Sequence, residues 1–231
     1  MPITLIFPPD RKSQTGTNLS EILSGNDIPK NVIVNWSGSP VSNLDHNAEI
    51  LLNGEAFTNK LRQALRLGIT GIPTITISLT QEGPDWYPRR NDHQQGFDFT
   101  SRSLRRGDIP ADFFVKKEAI NEEWRVHVFR STKDNMRVLR TAKKVPSRPD
   151  AHHWVRSHRL GWKLSYIGGI SDLAKQLSRD AVRALHLDFG AVDIGFRAQG
   201  DPFVLEVNTC PGLEGGTLEM YAENILERAT K

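Results

Sequence analysis

The chain has 231 residues, with 30 Lys and Arg against 27 Asp and Glu, and its net charge of +3 is weak evidence for a nucleic-acid partner. Apolar residues make up 38% and charged residues 25%, which excludes a disordered or fibrous chain and is typical of a soluble globular protein. The sequence has no run of 18 apolar residues and no signal-peptide pattern at its start, so we expect neither a membrane span nor secretion. The single cysteine, Cys210, excludes an internal disulfide and a multi-cysteine zinc site, and it favours a cytoplasmic location.

The first part of the chain is expected to contain two strands and a helix. Residues 1–55 are rich in Pro, Gly, Asn and Ser, and the apolar run at 32–34 predicts a buried strand within them. Apolar residues at helical spacing predict a helix over 55–67, with Gly68 as its C-terminal cap. The run at 72–79 is typical of a strand.

The middle of the chain is expected to hold strands separated by polar segments. Residues 81–112 are polar and rich in Gly, Arg and Asp, which predicts a long loop or a ragged sheet edge. Strands are expected at 113–119, 123–129 and 136–145, and residues 146–162 are expected to form a loop.

The last third is expected to alternate helix, strand, strand and helix. A helix is predicted from Ser171 to about residue 186, followed by strands over 189–196 and 202–208 and a final helix from about Thr217. Because so many strands follow one another directly, the order favours an α+β fold with antiparallel sheets.

Basic residues gather in clusters despite the small net charge. Such clusters either lie in solvated loops and strand ends or bind anions, meaning phosphates or an acidic substrate. The clusters are Arg102, Arg105 and Arg106; Arg137, Arg140, Lys143, Lys144 and Arg148; and Arg156, His158 and Arg159.

Two acidic side chains are expected to face each other on the last two strands. Strand side chains alternate between faces, so a hairpin about residue 199 or 200 places Asp193 nearly opposite Glu206, with Asn208 two residues further along the same face. The same alternation directs Val204 to the Glu206 face and Leu205 to the opposite face. Opposed carboxylates repel unless a cation lies between them, and their oxygen ligands suit Mg²⁺. The alternative is a solvated pair on an exposed face.

A second charged strand precedes this pair. Glu123, Arg125 and His127 share one face of the strand at 123–129, and a half-buried arginine requires an anion. That anion belongs either to a structural salt bridge or to a ligand. The preceding strand is expected to place Lys116 and Lys117 beside Arg125.

Several common nucleotide-site and catalytic motifs are absent from the sequence. It contains no GxxxxGK[ST] phosphate loop, no GxGxxG fingerprint, no GxSxG and no HExxH. Any ATP site must therefore be built in another way.

The carboxylate pattern resembles the metal-binding signature of ATP-grasp enzymes. In that pattern Glu206 follows Asp193 by thirteen residues, Asn208 follows by two more, and a Pro-Gly pair comes next. The string VLEVNTCPGLEG is similar to the motif of carboxylate–amine ligases, such as the ligase that adds glutamate to a ribosomal protein and D-alanine–D-alanine ligase. Upstream, NEEWRVHVF, RVLRTAKK, WVRSHRLGW, YPRRNDHQQGFDF and LNGEAFTNKLRQALRLGITGIPT extend the resemblance, including to small ATP-grasp proteins of tailed phages, over about residues 50–225.

The resemblance implies an α+β ATP-grasp fold in which two α+β subdomains grip ATP between antiparallel sheets. A short N-terminal segment would occupy residues 1–54. The small subdomain with its phosphate lid would occupy 55–114, and the large subdomain with the metal site would occupy 115–231.

The resemblance also implies metal ligands and charge-stabilising residues. Asp193, Glu206 and Asn208 would hold one or two Mg²⁺ ions, with Mn²⁺ as a substitute, between the ATP phosphates. Ala191 departs from the pattern, because D-alanine ligases have an arginine there, and another basic residue would have to serve. Three arginines would face the phosphate or acyl-phosphate: Arg125, Arg140 and Arg156.

Further residues would contact the nucleotide. They are Arg90 at a phosphate, His93 to Gly96 in the lid, Val115, Lys116 and Lys117 in the hinge beside adenine, and Glu123 at the ribose.

The implied activity joins a carboxylate to an amine through an acyl-phosphate, with release of ADP and phosphate. The acceptor is left open among a small molecule, a peptide and a modified nucleic acid, and no membrane partner is expected. A first alternative is a kinase of the same fold that acts on a hydroxyl group. A second is a basic accessory protein that binds nucleic acid and keeps only a vestigial ATP site.

Overall fold

The computed structural model describes residues 3–6, 13–26, 28–36, 48–54, 59–80, 82–91, 111–132, 135–152 and 154–231. Within these residues there are eleven strands, which form three separate sheets, and four α-helices. The predicted lid residues His93 and Gly96 and the basic cluster at 102–106 lie outside the described residues. No helix among the described residues combines the length and apolar character needed to cross a bilayer.

The first sheet is parallel and contains three strands, with β2 in the middle. Its strands are β1 (Ile3–Ile6), β2 (Val32–Asn35) and β3 (Ile50–Leu52). Helix α1 (Gln14–Leu23) begins where the Ser13 hydroxyl accepts a hydrogen bond from the Gly16 amide. Every residue of β2 is buried, which confirms the strand predicted at 32–34.

The second sheet is antiparallel, in the order β4-β6-β5. It contains β4 (Ile77–Ser78), β5 (Trp86–Arg89) and β6 (Phe113–Lys116). Strand β5 lies in the region predicted to be a loop or a ragged sheet edge. The expected subdomain boundary between residues 114 and 115 falls within β6.

Helix α2 (Lys60–Ile69) precedes this sheet and begins with Asn59 as its cap. The predicted C-terminal cap at Gly68 is wrong, because Gly68 lies inside the helix and Thr70 ends it. The strand predicted at 72–79 is also too long. Only β4 forms a ladder there, while Thr74 makes an isolated bridge to Val204.

The third sheet is antiparallel, with the order β11-β10-β7-β8-β9. Because β6 pairs with β4 and β5, the prediction that Lys116 and Lys117 lie beside Arg125 is wrong. The strands are β7 (Glu122–Arg130), β8 (Met136–Pro146), β9 (Trp162–Ser165), β10 (Phe189–Phe196) and β11 (Pro202–Asn208).

Two helices cover the third sheet and create its two cores. Helix α3 (Asp172–Ala184) packs on one face against a cluster that includes Val126, Val192 and Ile194. Helix α4 (Thr217–Thr230) shares the other core with α1 and the first sheet, in a cluster that includes Trp36, Phe129, Phe189 and Tyr221. The part of this second face that α4 leaves uncovered carries the charged side chains described below.

A buried asparagine joins the first sheet to the third. Asn53 has a φ of 55°, and its side chain accepts hydrogen bonds from the amides of Asp188 (2.7 Å) and Phe189 (3.1 Å). The Asn53 side chain also donates to the Phe189 carbonyl at 3.0 Å, and the Asn35 side chain donates to the backbone carbonyl of Asn53 at 2.9 Å. Through these hydrogen bonds, Asn53 connects the residue that follows β3 to the start of β10.

Candidate active site

The ladder between β10 and β11 brings the predicted carboxylates together. Asp193 and Glu206, predicted to lie nearly opposite each other, pair directly, and Ala191 pairs with Asn208. A β-bulge follows, because Ile194 pairs with Val204 and leaves Leu205 as the extra residue. Val204 therefore packs in the core beneath α3, while Leu205 lines the same pocket as Glu206. The predicted faces of Val204 and Leu205 are wrong for this reason.

Asp193 is held by two cations from neighbouring strands. Only 4% of its side chain is exposed. Arg125 on β7 makes a two-pronged contact, with Nε 2.8 Å from Oδ1 and Nη2 2.9 Å from Oδ2. Lys144 on β8 places Nζ 2.9 Å from Oδ2. Burial opposes ionisation of Asp193, but the charges of Arg125 and Lys144 outweigh it and hold the pKa below its ordinary value.

Lys144 also pairs with Glu123, and the two side chains are nearly buried. Burial would lower the pKa of Lys144, but the charges of Asp193 and Glu123 raise it above its ordinary value. Burial raises the pKa of Glu123 above its ordinary value. The charge of Lys144 opposes this rise, and the negative charge of Asp193 adds to it. The contact of Glu123 with a ribose stays a prediction, and 8% of its side chain is exposed.

Glu206 joins three elements at the open side of this group. One quarter of its side chain is exposed, and its Oε2 lies 3.0 Å from Lys60 Nζ and 3.7 Å from Arg89 Nη2. Lys60 is the first residue of α2 and Arg89 is the last of β5. We call the set formed by Asp193, Glu206, Glu123, Arg125, Lys144, Lys60 and Arg89 the charge cluster.

The charge cluster revises one step of the sequence argument. The repulsion between Asp193 and Glu206 is already offset by cations of the protein, so it does not by itself require a divalent ion. Lys60 and Arg89 were not singled out from the sequence. The available signals were the position of Lys60 in the ATP-grasp-like stretch and the place of Arg89 beside Arg90.

The residues present fit a magnesium ion by their chemistry. Asp193, Glu206 and Asn208 offer only oxygen ligands, which Mg²⁺ prefers. Asp193 accepts three hydrogen bonds, fewer than the roughly four that a carboxylate can accept. The Asn208 side-chain Nδ2 donates to the Ala191 carbonyl at 3.4 Å, and Oδ1 is the atom that would bind a cation. The described residues contain no cluster of three or more Asp, Glu, His or Cys suited to a metal, and in the proposed set Asn208 would add an amide oxygen to the two carboxylates.

Arg140 and Arg156 lie outside the charge cluster. The Arg140 guanidinium stacks 3.7 Å from the centroid of the Tyr166 ring, and its Nη1 donates to Thr217 Oγ1 at 2.9 Å, at the start of α4. Arg156 donates to the Ile120 carbonyl at 2.6 Å and stacks on Trp162. Within the described part of the chain, neither arginine forms an ion pair with Asp193 or Glu206.

The predicted hinge lies in the second sheet. Val115 is buried in the central strand β6, where it pairs with Ile77 of β4 and Tyr87 of β5, and its contact with adenine stays a prediction. The Lys116 side chain is exposed, and its amide donates to the Thr76 carbonyl at 3.0 Å. Lys117 Nζ donates to the Pro84 carbonyl at 2.9 Å. Arg90, which directly follows β5, is exposed.

A neutral histidine lies between two arginines of the sheet. His127 is fully buried, pairs with Arg140 across β7 and β8, and has Nδ1 3.2 Å from the Tyr221 hydroxyl. Burial, followed by the charge of Arg125, lowers the pKa of His127 to about 3. Since the unfolded chain binds this proton near pH 6.5, His127 contributes stability above that pH, and this is lost as the pH falls towards 3.

The pH dependence of unfolding tests this description of His127. We expect His127→Gln to lose less stability than the wild type between pH 7 and pH 4, although its stability at pH 7 is lower. Urea unfolding across this range provides the measurement, and His158→Gln, at an exposed position, is the matched control. Parallel stability curves for the wild type and His127→Gln would contradict the assignment.

Comparison with known proteins gives structural neighbours only. No protein-family model and no curated protein matches the chain. The chain is similar to the ATP-grasp ligase PsnB complexed with a minimal precursor, Mg and ADP, at 13% identity over 99% of this chain and 97% of that chain, with a TM-score of 0.64. It is similar to D-cycloserine synthetase DcsG at 14% identity over 100% of both chains, with a TM-score of 0.61.

A third similarity covers part of a longer protein. N5-carboxyaminoimidazole ribonucleotide synthetase from Thermotoga maritima matches at 14% identity over 87% of this chain and 59% of that chain, with a TM-score of 0.57. Together these likenesses confirm the fold class expected from the sequence: the chain has the α+β ATP-grasp fold.

Proposed function

We propose that this protein is an ATP- and magnesium-dependent ligase that joins a carboxylate to an amine. The observation that carries the proposal is the pair Asp193 and Glu206, opposed on adjacent strands and each close to two cations. The fold supports it, since PsnB is described as an ATP-grasp ligase complexed with Mg and ADP, and DcsG as a synthetase. We extend the cofactors to this chain as ATP with one or two Mg²⁺, and Mn²⁺ as a substitute.

The charge cluster suits a magnesium nucleotide because partners can be exchanged within it. Magnesium held by Asp193, Glu206 and Asn208 would neutralise negative charge on the ATP phosphates. The phosphates would then supply new anions for the cations that now pair with those carboxylates. Exchange of partners avoids leaving a buried charge unpaired, which would be costly. Lys60, Arg89, Arg125 and Lys144 are the cations in question.

The chemistry proceeds in two steps. A carboxylate oxygen of the substrate attacks the γ-phosphorus of ATP and ADP leaves, and the amine nitrogen then attacks the acyl carbon and phosphate leaves. Arg125, Arg140 and Arg156 are proposed to stabilise charge on the transferred phosphate and the acyl-phosphate. Water must be excluded from the acyl-phosphate, and a lid that includes His93 and Gly96 remains part of the proposal.

The second sheet is proposed to hold the rest of the nucleotide. Its hinge residues Val115, Lys116 and Lys117 are proposed to lie beside adenine. Arg90 is proposed at a phosphate and Glu123 at the ribose. We propose that residues 55–114 and 115–231 act as the two subdomains, after the N-terminal segment 1–54.

A nucleotide-binding measurement is the first test. A non-hydrolysable ATP analogue at about 100 times its Kd should add about 2.7 kcal/mol to the free energy of unfolding when magnesium is present. Each kcal/mol raises the Tm of a protein of this size by about 2–4 °C. No change in Tm at millimolar nucleotide would contradict the proposed function.

Amine dependence distinguishes a ligase from a kinase. A screen of acid and amine pairs should yield sustained ADP release only when both are present. Release that needs a hydroxyl acceptor and ignores every amine would instead favour the kinase.

A further inference from the structure

Helix α2 is attached to the edge of the third sheet by one buried carboxamide. Strand β11 is the outermost strand on its side. The Gln63 side chain, in a residue that is 2% exposed, donates from Nε2 to the Val207 carbonyl at 2.8 Å. The Val207 amide donates to Gln63 Oε1 at 3.2 Å. The carboxamide therefore bonds both backbone groups of Val207, as a neighbouring strand would.

The position of this contact connects it to the charge cluster. Val207 lies between Glu206 and Asn208, two of the proposed magnesium ligands. Lys60 lies one helical turn before Gln63, and its Nζ is 3.0 Å from Glu206 Oε2. A single turn of α2 thus contacts both the backbone and a side chain of the strand segment that carries the two ligands.

The Gln63 contact lies directly after the part of β11 where the bulge interrupts its pairing with β10. Leu205, the extra residue, interrupts the ladder to β10 directly before Glu206. Before the bulge, Val204 is fixed on its outer side by the Pro73 carbonyl at 2.8 Å and the Thr74 hydroxyl at 2.9 Å. After the bulge, Gln63 provides the corresponding contact at Val207.

We infer that Gln63 is a positioning residue of the proposed site: it fixes Glu206 and Asn208 relative to Lys60 and thereby sets the affinity for a magnesium nucleotide. The inference rests on the proposed function. A partner that orients metal ligands typically contributes roughly 10–100-fold in affinity. A merely structural glutamine would affect stability and leave that affinity unchanged.

The experiment compares Gln63→Met with Leu67→Ala, a variant of the same helix. Leu67 is buried in the core beneath α3, and its side chain takes no part in the Gln63 or Lys60 contacts. Both variants should have a lower Tm. Titration of the folded proteins with a non-hydrolysable ATP analogue and magnesium should show roughly 10–100-fold weaker binding for Gln63→Met only. Titration without magnesium should show a smaller difference.

A second variant keeps the test decisive if Gln63→Met does not fold. Gln63→Asn retains the carboxamide but is one methylene shorter, so it cannot reach both groups of Val207 without moving the helix. We expect it to weaken magnesium-dependent binding as well. Wild-type nucleotide affinity in the Gln63 variants would overturn the inference but not the proposed function. The same would follow if Leu67→Ala lost as much nucleotide affinity as the Gln63 variants. Absence of binding by the wild type would overturn the proposed function and the inference with it.

Discussion

Glu206→Gln is expected to abolish ADP formation while leaving the fold intact. The substitution keeps the size and shape of the side chain but removes the charge proposed to hold magnesium. Loss of a residue that only orients a metal ligand typically lowers metal affinity or activity roughly 10–100-fold, so loss of a ligand itself should lower activity by more. The Lys60 and Arg89 side chains are only 15% exposed, but the glutamine oxygen can still accept hydrogen bonds from them, so the fold should be kept with a modest fall in Tm. ADP release and Tm are the two measurements.

The control for this variant is an identical chemical change elsewhere. Glu223 lies on the exposed side of α4, so Glu223→Gln should keep both the activity and the Tm of the wild type. Normal turnover in Glu206→Gln would remove Glu206 from the proposed metal site. A large fall in its Tm would show instead that the glutamate supports the fold.

Asn53→Ala is expected to cause a large loss of stability. It leaves the amides of Asp188 and Phe189 and the carbonyl of Phe189 without their side-chain partner. Each unsatisfied buried group costs about 1–3 kcal/mol, so we expect a total of about 3 kcal/mol or more. At about 2–4 °C per kcal/mol, the Tm should fall clearly in a thermal unfolding experiment.

A glycine variant separates the two contributions at Asn53. Alanine at a φ of 55° is strained, whereas glycine adopts this conformation without that cost. Asn53→Gly should therefore be more stable than Asn53→Ala by about 1 kcal/mol, yet much less stable than the wild type. Wild-type stability in Asn53→Gly would mean that the hydrogen bonds contribute nothing.

The paired carboxylates were predictable because they depend on local rules. Alternation along a strand and a short turn that contains Gly200, with its φ of 88°, bring Asp193 close to Glu206. The bulge then sets their direct pairing, because the register at the turn would otherwise place Asp193 opposite Leu205. The same alternation puts Arg125 on the charged face. The bulge at Leu205 was not predictable, since Val204 and Leu205 are both apolar and β11 contains no glycine that would mark an insertion.

The remaining partners depend on tertiary structure. Lys60 and Arg89 are more than one hundred residues from Glu206 in the sequence, and nothing in the local pattern brings them to it. Lys116 and Lys117 were instead predicted to lie beside Arg125, and the structure does not place them there. Two strands that are adjacent in the chain were taken as neighbours in one sheet, but residues 117–121 lead from the second sheet to the third.

The bulge at Leu205 also limits what residue spacing can define. A chain without the extra residue would place the same two carboxylates face to face with one residue fewer between them. The interval of thirteen from Asp193 to Glu206 is thus a property of this ladder, whereas the opposition of the two side chains across it is a property of the site. Proteins that share this chemistry are better identified by which residues oppose each other than by how far apart they lie in sequence.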